Sequence, residues 1–217
     1  MTFWTIAPHL IDYPDALDHM SKRVEALKEG YADEEVWLLE HPPLYTAGTS
    51  AKNQDLLDAQ GFPVYETGRG GQFTYHGPGQ RVAYVMIDLN RRQRDLRKYI
   101  SALEQWIIDT LAEFDILGHR RDGRVGIWVE VPSGDKLEIR EEKIVAIGVR
   151  ISKWITYHGI AINLNPNLDH FSGIVPCGLP QFGVTSLHKL GKKVTIEDLD
   201  LALKRAWDKN KFLRKND

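Results

Sequence analysis

Cys177 is the only cysteine of the 217-residue chain, and it stands in Ile174-Val175-Pro176-Cys177-Gly178. Pro176 fixes the backbone before the sulfur, and Gly178 leaves the backbone after it open to close approach. A rigid turn that presents one thiol suits a nucleophile. The same residue also reads as a small buried apolar side chain, the ordinary fate of a lone cysteine. A second candidate is Lys143, which opens the apolar run Ile144-Val145-Ala146-Ile147-Gly148-Val149. It reads either as a strand-end lysine that keeps an edge soluble or as an amine at the rim of a dry pocket. Strict alternation sets Ala146 and Gly148 on the face opposite Lys143. In Tyr157-His158-Gly159-Ile160-Ala161-Ile162 the same rule puts Gly159 and Ala161 on one face and His158, Ile160 and Ile162 on the other. Two faces of small residues can line a slot for an alkyl chain. His158 itself reads as a hydrogen-bonded structural residue.

Residues 68–79 hold five glycines, in Gly68-Arg69-Gly70-Gly71-Gln72-Phe73-Thr74-Tyr75-His76-Gly77-Pro78-Gly79. Such a segment exposes backbone N–H groups and lets a ligand approach the main chain, or it simply turns the chain. No Gly-Lys-Ser/Thr follows, and the dinucleotide fingerprint is missing, so it is not a nucleotide loop of either kind. The eight histidines are scattered without ligand spacing, so no metal is expected. Ser172 and Ser186 lack a nucleophile elbow. Arg91, Arg92, Arg94, Arg97 and Lys98 cluster where a long helix begins. They read as solvated surface or as a dock for an acidic partner protein.

These residues need a scaffold. Apolar spacing predicts helices over 15–29, 96–114 and 196–212, the last capped by Thr195. Strands are expected at 36–40, 62–66, 81–89, 125–131, 137–140, 144–151 and 157–164, with Pro132-Ser133-Gly134-Asp135 as a turn and 44–61 irregular. Strands and helices mix without regular β-α-β alternation, which argues for an α+β fold in one domain over 1–217. At 42% apolar and 27% charged, the chain can bury a sizeable core. A net charge of -2 gives no global attraction to nucleic acid or an anionic membrane. One cysteine excludes an internal disulfide and permits a reducing cytoplasm. The start, Met1 to Asp12, does not read as a signal peptide, and no run is long enough to span a membrane.

Together, six segments resemble the lipoyl(octanoyl) transferase family. They are Glu40 to Gly48, Arg69 to Gln80, Lys143 to Arg150, His158 to Asn163, Phe171 to Gly178 and Val184 to Leu187, in the family's order and spacing. The resemblance implies a mixed sheet packed with helices, like the catalytic domain of biotin and lipoate protein ligases. It implies transfer of an octanoyl or lipoyl group from acyl carrier protein, through a cysteine thioester and without a cofactor, to a lysine of a lipoyl domain or glycine-cleavage H protein; a monomer is expected. It assigns Cys177 and Lys143 as the catalytic pair. It assigns acyl binding to Arg69, Gly70, Gly71, Gln72, Phe73, Thr74, Tyr75 and His76, to Ala146, Ile147 and Gly148, and to Gly159, Ile160 and Ala161. Thr49-Ser50 and the longer stretch from Val131 to Glu142 depart from the family pattern. An ATP-dependent ligase of the same fold, a non-catalytic acyl-binding protein and a cysteine peptidase are the competing classes.

Overall fold

The computed structural model describes residues 2–132, 139–175 and 181–214. Its core is a seven-stranded sheet. The strands, in chain order, are β1 (Thr2–Ile6), β2 (Glu34–Leu39), β6 (Gln80–Met86), β7 (Ile127–Pro132), β8 (Ile139–Ser152), β9 (Ile155–Asn163) and β10 (Gly183–Val184). Spatial order is β1-β2-β6-β9-β8-β10, with β7 on the other edge of β8. A small second sheet runs β4 (Val64–Glu66), β3 (Leu44–Ala47), β5 (Phe73–His76).

Three helices cover the large sheet. On α1 (Tyr13–Lys28), Ala16, Met20, Val24 and Leu27 fall on one face and pack on Trp37, Leu39, Val82 and Tyr84. The helix stops at Gly30, whose φ of 80° is a left-handed conformation suited to glycine. The other face takes α2 (Leu96–Ala112) and α3 (Ile196–Lys209), through Leu103, Trp106, Leu203 and Trp207. Thr195 and Asp198 close a reciprocal capping box that starts α3. The layers are therefore two helices, the large sheet, then α1 beside the small sheet. This is the α+β arrangement expected from the sequence.

Several local expectations change. Residues 44–61 are not wholly irregular, because Leu44–Ala47 is β3 and pairs antiparallel with β5 inside the glycine-rich segment. The short strands β1 and β10 carry too little pattern to be read alone. The final helix stops at Lys209, three residues before Phe212. The turn at 133–135 lies outside the described residues.

The basic cluster is not one surface. Arg92 is 5% exposed at its side chain and meets the buried Glu34 through both nitrogens, at 2.5 and 2.7 Å. It also donates to the carbonyls of Phe212 and Leu213, fastening the C-terminal segment. Arg91 pairs with Asp88. The cluster adjoins the β8–β9 turn, where Leu89 N donates to Trp154 O. Lys143 lies nine residues from that end of β8, about 30 Å at strand rise. Arg92→Ala should therefore destabilise the protein by about 3–5 kcal/mol, the cost of stranding a buried partner. Arg94→Ala, at an exposed position, should stay within about 0.5 kcal/mol. Urea unfolding of both variants checks the contrast, and equal effects would refute it.

Candidate active site

A cavity of about 250 Å³ lies between the two sheets. Its floor is the β6-β9-β8 surface, and its roof comes from β5 and the loop before it. On the floor, Ala146 stands opposite Ala161 and Gly148 opposite Gly159 in the antiparallel register. Four small residues in adjacent pairs leave the backbone surface bare, and that bareness is the space. Above them, a Cβ on Gly148 would come within 2.9 Å of Gly70 O and 3.0 Å of Arg69 Cδ. Floor and roof touch there.

Lys143 lines this same cavity, contrary to strict alternation. The pairing of β7 with β8 skips a residue: Ile127 faces Val145 while Trp128 faces Lys143. Ile144 is the extra residue, a β-bulge. Ile144 and Val145 both enter the core beneath α2 and α3, so Lys143 returns to the cavity face. The lysine is only 9% exposed. Its Nζ lies 5.4 Å from the centre of the Trp128 ring. Gly126, at φ 122°, passes directly beneath, and a Cβ there would run into Lys143 Cε.

His158 also leaves its expected face. Its φ is 58°, a left-handed conformation that turns the ring away from Ile160 and Ile162 and into the cavity. There it meets Tyr84 edge-on.

Arg69 organises the roof. It is 7% exposed. Nη2 donates to Thr46 O at 2.8 Å, Thr46 Oγ1 at 2.6 Å and Gln72 O at 3.0 Å, and Nη1 donates to Gly70 O at 3.0 Å. Among the described residues it has no carboxylate partner. Its charge is solvated by main-chain carbonyls, so it folds the loop around itself.

A hydrogen-bonded path joins roof and floor. His76 Nδ1 donates to Gln80 Oε1 at 2.7 Å, because Gln80 Nε2 is spent on Asn163 Oδ1 at 3.0 Å and Tyr75 O at 3.1 Å. Asn163 Nδ2 donates to Thr185 O, and Thr185 N donates to Lys143 O, each at 2.9 Å. His41 Nδ1 donates to Ile11 O and Nε2 accepts from Tyr84. Three imidazoles are held neutral. Burial brings His41 down to about 4 against a weaker pull from Ile11 O. Burial, then Arg69 and Arg150, brings His158 down to about 3. His76 falls well below the histidine range through burial, aided by His41 and Arg69.

The acyl-binding residues named from the sequence largely converge. Arg69, Gly71, Gln72, Phe73, Thr74 and His76 reach the cavity, as do Ala146, Ile147, Gly148, Gly159, Ile160 and Ala161. Gly70 and Tyr75 are not among its lining residues. Tyr75 turns to the small-sheet core, where its hydroxyl meets His170 Nδ1 at 2.7 Å. Cys177 lies outside the described residues. Sequence reasoning missed Tyr13, Tyr84 and Arg124, which also line the cavity. None of the three carries a local motif; only the tertiary fold brings them there.

The family model of the lipoyl protein ligase A/B catalytic domain matches residues 12–208. An octanoyltransferase of Paracoccus denitrificans is 58% identical over 213 residues, covering 97% of each chain. Among solved structures, lipoate-protein ligase A bound with ATP superposes with a TM-score of 0.68 at 16% identity, covering 96% of this chain and 85% of that one. A bipartite archaeal lipoate protein ligase of Thermoplasma acidophilum, solved in a study that includes its E2 lipoyl domain, gives 0.67 at 16% identity, covering 97% and 84%. At such identities these two establish the fold.

Neutral native histidines make stability fall with acid. The unfolded chain takes up protons below about 6.5, while the native rings resist until about 4 for His41 and about 3 for His158. Stability is therefore full above pH 6.5 and is lost as pH falls toward those values. Ring NMR should show His41, His76 and His158 still neutral at pH 5. A ring among them that titrates near 6.5 would contradict the buried geometry.

Proposed function

The chain belongs to the lipoyl protein ligase A/B catalytic-domain family, with octanoyltransferases as near full-length relatives, and from that premise we propose how it carries an octanoyl group. The donor is octanoyl-acyl carrier protein. The acceptors are lysines of lipoyl domains and of glycine-cleavage H protein. Cys177 holds the acyl group between the two, and Lys143 carries the proton. The observation that supports this most is Lys143 itself, buried on the cavity face at the edge of the paired small residues.

The chemistry balances without ATP. An ammonium at Lys143 stabilises a thiolate at Cys177, and the thiolate is the reactive form. It attacks the thioester carbonyl, forming a new C–S bond. The bond to the pantetheine sulfur breaks, and Lys143 gives its proton to that sulfur. One thioester replaces another at little cost. Lys143 is then neutral and faces the incoming acceptor. The neutral acceptor amine attacks octanoyl-Cys177, Lys143 takes the proton released, and Cys177 leaves as thiolate. The amide is more stable than the thioester, which drives the second step. The starting ion pair is restored.

The alkyl chain lies over Ala146, Ala161, Gly148 and Gly159, under Phe73 and the Arg69 loop. A carrier docked at Arg91–Lys98 would stand about 30 Å along β8 from Lys143, a span its pantetheine arm would have to bridge.

Intact-protein mass spectrometry with octanoyl-acyl carrier protein and no ATP tests the route. One octanoyl adduct on Cys177 should appear, then vanish as an added lipoyl domain gains the same mass. Modification that needs ATP and free octanoate would replace this reading with a ligase. Cys177→Ala should abolish transfer while the protein stays folded, and full activity in that variant would end the mechanism. Ala146→Leu should cut octanoyl transfer about tenfold or more relative to a four-carbon acyl group, since each methylene excluded is worth about 1–3 kcal/mol. An unchanged chain-length profile would remove Ala146 from the slot.

A further inference from the structure

Arg124 precedes β7 and lines the same cavity as Lys143. Its guanidinium carbon lies 4.6 Å from the Trp128 ring centre and 4.2 Å from that of Phe182. Both are well inside cation–π range. The two rings meet edge-on at 5.3 Å. Nη2 pairs with Glu141 at 2.6 Å, and the Arg124 carbonyl accepts from Trp128 Nε1 at 3.0 Å. Nη1 is buried and, among the described residues, has no hydrogen-bond partner. An unmade buried donor is a cost, so packing and charge, not complete hydrogen bonding, hold this side chain.

Its neighbours are what give the arrangement meaning. Trp128 also carries the Lys143 ammonium, 5.4 Å from its ring centre. Phe182 comes five residues after Cys177 and directly precedes β10, which pairs in parallel with Glu142 and Lys143. Arg124 thus joins the shelf under Lys143 to Phe182 and, through it, to the start of β10.

We propose that Arg124 is a positioning residue for the pair: clamped between Trp128 and Phe182, it holds Phe182, five residues after Cys177, against the strand that carries Lys143. This rests on the cysteine–lysine reading above. The side chain takes no proton and forms no bond to the acyl group.

The test is the rate of octanoyl-adduct formation on Cys177, by rapid quench and intact mass, in wild type, Arg124→Met, Phe182→Leu and the double variant, with a thermal melt of each. Arg124→Met keeps an apolar stem and loses the charge. Each single change should slow acylation about tenfold, the scale of a desolvated cation–π contact. The double variant should lose less than the product of the two single losses, because the Arg124–Phe182 contact is common to both. Arg124→Lys, which keeps the charge near Glu141, should recover part of the rate. Wild-type rates in the single variants, multiplicative losses in the double, or losses that follow the unfolded fraction would overturn the proposal. A wild type that forms no adduct would instead overturn the acyl-enzyme reading. Iodoacetamide alkylation of Cys177, the chain's only thiol, then decides Arg124 separately: slower reaction in Arg124→Met supports the positioning role, and equal rates refute it.

Discussion

One extra residue in β8 governs the site. With Ile144 bulged into the core, Lys143 shares a face with Ala146 and Gly148; without it, the amine would point beneath α2 and α3. That alternative is costly, because a buried ammonium among Leu and Trp side chains has no solvation. The bulge also explains the surroundings. It lets Trp128 lie alongside Lys143, and it requires Gly126, because any Cβ there would occupy the amine's path. The large sheet is thus irregular in β8 at the point where Lys143 enters the cavity.

The roof obeys a different constraint. Arg69 is a buried cation satisfied by carbonyls of Thr46, Gly70 and Gln72, so the loop has one geometry in which its charge is solvated. That geometry seats the loop on Gly148. Burial holds His76 and His158 neutral, and the fixed guanidinium adds to it, since an imidazolium beside Arg69 is opposed a second time. Neutral rings add no charge of their own to the cavity wall, which suits an alkyl guest. The hydrogen-bonded path from His76 through Gln80, Asn163 and Thr185 to the Lys143 carbonyl ties this roof to the strand that carries Lys143.

What the sequence made legible follows from what is local. The small-residue faces at 146–148 and 159–161 were readable because alternation is a property of a single strand, and their register completes the slot. Thr195 and Asp198 were readable because a cap lies within four residues. Lys143 was placed on the wrong face because a bulge depends on the partner strand, and nothing in Lys143-Ile144-Val145 marks it. His158 was misplaced because a left-handed histidine has no sequence signature. Arg92 looked like surface because its partner, Glu34, is 58 residues away. Arg124 had no motif, since its meaning comes from Trp128 and Phe182.

The fold is shared with a lipoate-protein ligase bound with ATP, so the scaffold alone does not decide between activation by nucleotide and transfer between thioesters. A slot floored by Ala146, Ala161, Gly148 and Gly159 can hold an acyl chain under either chemistry. A buried lysine on the same floor, reached through a bulge and shelved on an aromatic ring, is a demand that acyl-chain binding by itself does not make. Burying that amine costs desolvation, and an apolar residue there would serve the alkyl chain better. The cost is understandable if Lys143 must first lose a proton to a departing sulfur and then regain one from an attacking amine. On that reading the scaffold accounts for where the acyl chain would lie, and the bulge for how Lys143 reaches it.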